Sequence, residues 1–121
     1  MRPHKKLIVW QRAISLVKII YQTVNKFPES EKYGLISQLK RAAISVPANI
    51  SEGAARSTQK EFLYFLHISS GSLSEVDTLL TISKELEMIN ESEMGLLEKE
   101  LDDIASMLNG LIRKLKNNCK T

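Results

Sequence analysis

Hydrophobic residues recur at steps of three and four along most of the chain, in four runs separated by short polar joints. That spacing puts the apolar side chains of each run on one face of an α-helix. The four helices are predicted at about residues 7–26, 31–53, 59–87 and 93–116. No run follows the two-residue period of a β-strand, so the pattern predicts an all-α fold.

Local signals mark the ends of these helices. The pair Phe27-Pro28 should end the first helix, because the residue before a proline is disfavoured in the helical conformation. Ser30 suits the N-cap of the second helix, and Gly53 suits its C-terminal stop. Thr58 and Glu61 have the spacing of a capping box, which predicts the start of the third helix.

Two residues inside the predicted helices are poor helix formers. Pro47 removes one backbone hydrogen bond, so we expect the second helix to kink near Pro47 or to break into two pieces. Gly71 costs about 1 kcal/mol relative to alanine in a helix interior. It indicates either the close approach of a neighbouring element or a glycine that the third helix simply tolerates.

The fourth run has the clearest heptad pattern in the chain. Its apolar positions are Leu97, Leu101, Ile104, Leu108, Leu111 and Leu115. Alternating steps of four and three give the period that is typical of left-handed helix bundles. Short joints between long helices force consecutive helices to run antiparallel. We therefore predict one domain over residues 1–121, an antiparallel up-down-up-down four-helix bundle with its second helix kinked near Pro47.

Composition agrees with one small domain in a reducing compartment. The chain has 121 residues, 43% of them hydrophobic, which suits a single core. Its only cysteine, Cys119, cannot form an internal disulfide, and a free thiol favours the cytoplasm. No signal peptide or membrane span is predicted, because Gln11 and Arg12 interrupt the first apolar stretch and every longer one contains charges.

The residue combinations typical of catalytic sites are missing from the sequence. A di-iron bundle requires Glu-x-x-His pairs on two helices, but Tyr64 stands three residues before His67 and the other histidine, His4, lies near the N-terminus. No glycine-rich phosphate loop is present. The sequence therefore predicts no enzyme, no metal site and no cofactor.

Charge is distributed unevenly along the chain. Residues 1–60 hold eleven Lys and Arg against three Asp and Glu, residues 61–105 hold two against eleven, and residues 106–121 hold four against none. In an up-down-up-down bundle, one end collects both chain termini and the joint between the second and third helices. We call this end the basic pole, and its predicted cations are Arg2, Lys5, Lys6, Arg12, Arg56, Lys60, Arg113, Lys114, Lys116 and Lys120.

Matching of side-chain charges to helix dipoles explains only part of this pattern. Cations near the C-termini of helices, such as Arg113, fit that explanation, but Lys5 and Lys6 at the start of the first helix oppose it. A cationic pole would attract phosphate backbones with an affinity that falls steeply with salt. No aromatic stacking platform accompanies these cations in the sequence, so sequence-specific reading of a single strand is not expected.

Two further faces are candidates for structural or interface roles. On the second helix, Gln38, Ala42, Ser45, Asn49 and Glu52 share one flank, which is either a buried polar ladder or an exposed surface. On the first helix, Ile8 and Ile19 project opposite the core stripe, with Leu16 at its edge. An apolar rear face of this kind indicates a contact between subunits, with stray exposed apolar residues as the alternative.

Several of these segments together resemble one known family. They are Leu7 to Ala13, Tyr33 to Leu35, Gln38 to Ala43, Ser45 to Gly53, Phe62, Phe65-Leu66, Gly71 to Leu73, Glu75 and Thr78. The chain resembles the bacterial 23S rRNA intervening sequence proteins over roughly residues 6–115. The run from Ala42 to Gly53 is its most specific part, although Ser51 and Ser69 stand where the family more often has alanine.

The resemblance implies a four-helix bundle that assembles into a ring-like homopentamer. A related protein is the basic accessory subunit of diversity-generating retroelements, which works with a reverse transcriptase and nucleic acid. The resemblance also marks residues whose role is structural or at an interface. They are Gln38, Arg41, Ser45, Pro47, Asn49, Glu52 and Gly53.

Together these observations predict a non-enzymatic, homo-oligomeric adaptor that binds RNA or DNA through its basic pole. The alternative is a scaffold for a protein partner, such as a polymerase or ribosomal component, without direct contact to nucleic acid.

Overall fold

The computed structural model describes residues 2–118, which form four α-helices and two short 3-10 helices. The α-helices are α1 (Ile8–Val24), α2 (Leu35–Ala54), α3 (Gln59–Glu85) and α4 (Glu91–Asn118). The 3-10 helices span Pro3–Lys6 and Glu29–Glu31. No strand occurs within residues 2–118, so the predicted all-α four-helix bundle is confirmed.

Consecutive helices run in opposite directions. Each helix packs against the next, and α4 packs against α1. Contacts between helix ends show this reversal: Gly53 near the end of α2 lies beside Phe62 near the start of α3, and Lys26 just after α1 pairs with Glu93 near the start of α4. The pole assumed from the sequence therefore exists, with the start of α1, the α2–α3 joint and the end of α4 at one end of the bundle.

The core takes its side chains from all four helices, and α4 supplies most of its predicted heptad. Leu97, Leu101, Ile104 and Leu108 are buried. Leu111 is only half-buried, because an α-helix has 3.6 residues per turn and drifts away from a strict 3.5-residue repeat. Ile112 is buried one position later.

The start of α2 lies further along the chain than predicted. Ser30 belongs to a 3-10 turn and is not the N-cap; the helix begins at Leu35. The carboxylate of Glu31 instead accepts the backbone N–H of Leu35 at 3.2 Å. At the other end of the α2–α3 joint the predicted capping box is confirmed, because Thr58 Oγ1 accepts the N–H of Glu61 at 3.1 Å.

Pro47 does not interrupt α2. The helix is continuous through this residue, so the expected break into two pieces is wrong, while a bend at this point stays a prediction. The pyrrolidine ring is buried in the bundle, where its apolar surface packs against the core. Burial of the ring offsets part of the cost of the backbone hydrogen bond that proline cannot donate.

The α2–α3 pair makes the most extensive contact in the bundle, and small residues line it. The Oγ atoms of Ser45 and Ser72 lie 2.8 Å apart across the two helices. A Cβ atom on Gly53 would lie 2.8 Å from Cδ1 of Phe62, so this position admits only glycine without movement. Gly71, by contrast, faces open space, and its interpretation as a site of close approach is wrong.

Candidate nucleic-acid interface

The structure brings most of the predicted cations together at the basic pole. They come from three places: the N-terminal 3-10 helix with the residue before it, the first turn of α3 and the last turns of α4. Within residues 2–118, seven of them are exposed and form no ion pair with a carboxylate. They are Arg2, Lys5, Lys6, Lys60, Arg113, Lys114 and Lys116. Lys120, like Cys119, lies outside the described residues.

Side-chain contacts hold the N-terminal cations in place. The amide of Gln11 donates through Nε2 to the backbone carbonyl of Lys5 at 2.8 Å. The ring of His4 packs edge-on against Trp10, with the two ring centroids 5.0 Å apart. These contacts anchor Pro3–Lys6 to α1, so the charges of Lys5 and Lys6 have a defined position.

Arg12 does not contribute free charge to the pole, and its assignment there is wrong. Its guanidinium donates to Glu100 at 3.1 Å from both Nε and Nη2, and to Asp103 at 3.0 Å. The hydrogen bond with Glu100, followed by that with Asp103, raises the pKa of Arg12 further above its ordinary value. Arg12 therefore ties α1 to α4, and two carboxylates outweigh its charge.

Arg56 also has a partner, but it keeps a place at the pole. Its guanidinium forms an ion pair with Glu52, one turn earlier in the chain. The same group lies over the ring of Phe65, with 4.8 Å between Cζ and the ring centroid. Arg56 is therefore fixed between a carboxylate and an aromatic face, and its positive charge is largely compensated.

An aromatic pair accompanies these cations, which sequence reasoning missed. Tyr64 is 63% exposed and stands edge-on to Phe65, with ring centroids 5.2 Å apart and an interplanar angle of 87°. Lys60 lies four residues earlier on the same face of α3. The expectation that no aromatic platform accompanies the cations overlooked this pair, and whether the pair serves as a stacking surface is a matter for proposal. The sequence does contain a signal for this arrangement: Tyr64 follows Lys60 by four residues on a predicted helix and is next to Phe65.

The opposite end of the bundle is acidic, and several of its charges are paired. Lys26 forms an ion pair with Glu93, and Lys84 with Glu91 at 2.7 Å. The hydrogen bond with Glu91 raises the pKa of Lys84. These pairs join the ends of α1 and α3 to the start of α4, so the bundle has one cationic and one anionic end.

The family-like segment of α2 has mixed roles. Asn49 donates through Nδ2 to the backbone carbonyl of Ser45 at 2.8 Å and to its Oγ at 2.9 Å, and both residues are half-buried. Gln38 and Glu52 on the same flank are exposed, as is Arg41 nearby. The flank is thus a polar contact to α3 in its middle and open surface at its ends. Pro47 and Gly53 are packing residues.

The predicted subunit contact falls at a groove between α1 and α4. Ile8 is 65% exposed, and Ile19 lines the groove together with Leu96, which is 72% exposed. The groove has a volume of about 500 Å³. Leu16 is fully buried in the core of its own chain, so its assignment as a subunit contact is wrong. It lies on the core side of the helix, because Ala13, Leu16 and Ile20 follow the buried stripe.

Candidate metal ligands do not cluster in the part of the chain that the structure describes. No group of three His, Cys, Asp or Glu side chains there could hold a metal ion. His4 contacts Trp10, whereas His67 is exposed on α3. None of the described helices is both long and apolar enough to cross a membrane.

Comparisons with known proteins agree with this architecture. A family model described as 23S rRNA-intervening sequence protein matches residues 5–110. The chain is similar to a solved structure from Bacteroides thetaiotaomicron, a protein with unknown function from the S23 ribosomal protein family. That similarity has 20% sequence identity and a TM-score of 0.79, and it covers 88% of this chain and 96% of the other. None of the curated proteins matches the sequence. No enzyme family is indicated.

Proposed function

The chain belongs to the 23S rRNA-intervening sequence protein family, and from this premise we propose that it is a non-enzymatic, homo-oligomeric accessory protein that binds the backbone of RNA or DNA. The observation that carries the proposal is the set of unpaired cations at the basic pole. Lys5 and Lys6, Lys60, and Arg113 to Lys116 come from three separate elements and meet at one end of the bundle.

Helix dipoles account for only part of this concentration of charge, because Arg113 to Lys116 lie near the C-terminus of α4 but the other cations do not lie near a favourable end. A cation at the N-terminus of a helix opposes the dipole, and Lys5, Lys6 and Lys60 all stand near N-termini. Such placements cost a few tenths of a kcal/mol each. Phosphates bound by these cations would release condensed counterions, which is the main source of affinity in non-specific binding.

Self-association would strengthen weak contacts made by single poles. Several copies arranged as a ring, as in the homopentamer that the family resemblance implies, would present their basic poles side by side. Each further contact on one strand is then intramolecular, and avidity increases affinity without new kinds of contact. The proposed contact surface is the α1–α4 groove, lined by Ile19 and Leu96, together with the exposed Ile8 at the start of α1.

Salt dependence tests the proposal directly. We expect RNA and DNA oligonucleotides to bind at low salt and to lose affinity steeply as salt rises. Lys5→Glu, Arg113→Glu and Lys116→Glu should each weaken binding and reduce the slope of log affinity against log salt. Lys18→Glu is the matched control, because Lys18 is an exposed cation in the middle of α1, away from the pole. An equal loss of affinity in Lys18→Glu and in the pole variants would contradict the assignment of nucleic-acid binding to the basic pole.

The exposed groove favours a second candidate, a scaffold for a protein partner. Leu96 and Ile8 present apolar surface that a helix of a polymerase or ribosomal component would bury. No retention of RNA or DNA at low salt, together with a stable complex with such a partner, would support this second function. In either case we propose the cytoplasm as the location, because Cys119 has no partner in the sequence for a disulfide.

A further inference from the structure

The side of the basic pole formed by α3 combines exposed aromatic surface with cations. The ring of Tyr64 is 63% exposed, and Lys60 stands one turn earlier on the same face. Phe65 lies behind Tyr64 in an edge-on contact, and Arg56 covers the face of Phe65. One exposed ring is thus supported by a second ring, and Lys60 supplies an unpaired positive charge one turn earlier.

Packing requirements do not explain the exposure of Tyr64. Leu66 fills the core at this level of α3 and is fully buried, whereas the tyrosine ring points to solvent. The edge-on contact with Phe65 is a favourable arrangement of two aromatic rings, and it restricts the orientation of Tyr64. A ring already held in place loses little conformational entropy when a flat ligand stacks on it.

We propose that Tyr64 stacks on an unpaired base, so that the preferred ligand of the basic pole is single-stranded nucleic acid. The inference rests on the proposed function and specifies its ligand. Bases of a duplex stack on one another and offer no free face, whereas a single strand can turn a base out onto an aromatic ring. Lys60 then contacts the phosphate next to the stacked base.

The same geometry allows the site to accept any nucleotide sequence. Every base has a π face, and within residues 2–118 the ring pair carries only one hydroxyl that could read the edge of a base, that of Tyr64 itself. Affinity therefore depends on strandedness more than on base identity. The ligand class shared by RNA and DNA is an unpaired nucleotide with its flanking phosphates.

The test compares fluorescence anisotropy of single-stranded oligouridylate, single-stranded oligothymidylate and a DNA duplex of equal length at one low salt concentration. We expect both single strands to bind more tightly than the duplex. Tyr64→Leu should weaken binding of the single strands about tenfold and leave duplex binding unchanged, and Tyr64→Phe should retain wild-type affinity.

Tyr33→Leu is the matched control. Tyr33 is 87% exposed and has Lys32 near its ring, but it lies at the acidic end of the bundle. Equal binding of single strand and duplex, or unchanged affinity in Tyr64→Leu, would overturn the inference while leaving the proposed function intact. Failure of all three probes to bind at low salt would instead overturn the proposed function.

Discussion

Ser69 Oγ donates a hydrogen bond to the backbone carbonyl oxygen of Val46 at 2.9 Å, and the serine is fully buried between α3 and α2. The bond satisfies a hydroxyl that would otherwise be costly to bury. Because serine is small, it also lets α3 approach the backbone of α2 closely. One residue thus sets both the distance between these helices and the polarity of their contact.

Substitutions at Ser69 should separate these two effects. Ser69→Leu is expected to destabilise the bundle by roughly 1–3 kcal/mol, because the larger side chain must force α3 away from α2. Ser69→Ala should cost about 1 kcal/mol or less, since it keeps the close approach and loses one hydrogen bond. Chemical denaturation monitored by circular dichroism measures both. A loss in Ser69→Ala as large as that in Ser69→Leu would contradict the packing argument.

Substitution by alanine should change the stability of the fold in opposite directions at two glycines. A Cβ on Gly53 would lie 2.8 Å from Cδ1 of Phe62 and 2.9 Å from Cβ of Phe65, so Gly53→Ala should destabilise by about 1–3 kcal/mol. Nothing lies within 4 Å of a Cβ on Gly71, so Gly71→Ala should stabilise by about 0.5–1 kcal/mol through helix propensity. Thermal unfolding of the two variants compares them. Stabilisation by Gly53→Ala would contradict the contact with α3.

The ion pair of Lys84 with Glu91 predicts a loss of stability in alkali. The pKa of Lys84 is raised in the folded chain above its ordinary value of 10.5. Its stabilising contribution is complete below about pH 10.5 and disappears as pH rises through the raised pKa. Lys84→Gln should therefore lower the Tm at neutral pH. The difference in Tm between this variant and the wild type should shrink as the pH rises above about 10.5. Glu91→Gln should behave in the same way, and a difference that persists unchanged in alkali would contradict the pairing.

The helices, most of the core and the position of the basic pole could be predicted from the sequence, because they depend on local signals and on topology. The capping residues Thr58 and Glu61 belong to a motif of four residues, and the heptad of α4 repeats within one helix. The position of the pole follows from the order of antiparallel helices. Each of these depends on spacing along the chain, which the sequence displays directly.

Side-chain partners that are distant in sequence could not be predicted. Arg12 meets Glu100 across 88 positions, and no periodicity shows which carboxylate a cation will reach. Leu16 was assigned to the wrong side of α1, because a position at the edge of an apolar stripe changes sides with a small rotation of the helix. Ser30 is not the N-cap of α2, because the chain first makes a 3-10 turn there; the N-cap is Gly34, and the carboxylate of Glu31 accepts the N–H of Leu35.

Arg12 should contribute to the stability of the fold, whereas Arg113 should contribute to nucleic-acid binding. Arg12→Gln leaves Glu100 and Asp103 without their shared partner, so we expect a lower Tm and little change in affinity for nucleic acid. Arg113→Gln should have the opposite profile, because Arg113 is exposed at the pole and pairs with no carboxylate among residues 2–118. Differential scanning fluorimetry and the anisotropy assay measure the two properties. A loss of binding in Arg12→Gln with an unchanged Tm would instead indicate that Arg12 contributes to nucleic-acid binding at the basic pole.

The proposed subunit contact predicts which apolar substitutions separate the copies. Leu96 lines the α1–α4 groove, and Ile8 is exposed at the start of α1. If both lie in a contact between subunits, a charge introduced at either would have to be buried, so Leu96→Asp and Ile8→Asp should yield monomers at micromolar concentration. Both side chains are highly exposed in the single chain, which is why the fold itself should survive these changes. Light scattering gives the mass, and circular dichroism verifies the helices.

Two further variants test whether the loss of assembly is specific to this contact. Leu86→Asp changes a side chain that is 57% exposed at the end of α3, outside the groove, and should leave the assembly intact. Leu16→Asp should unfold the chain and not merely dissociate it, because Leu16 has no exposed surface. A monomeric mass for the wild-type protein would refute the proposed assembly. An unchanged mass in Leu96→Asp and Ile8→Asp would place the contact elsewhere on the bundle.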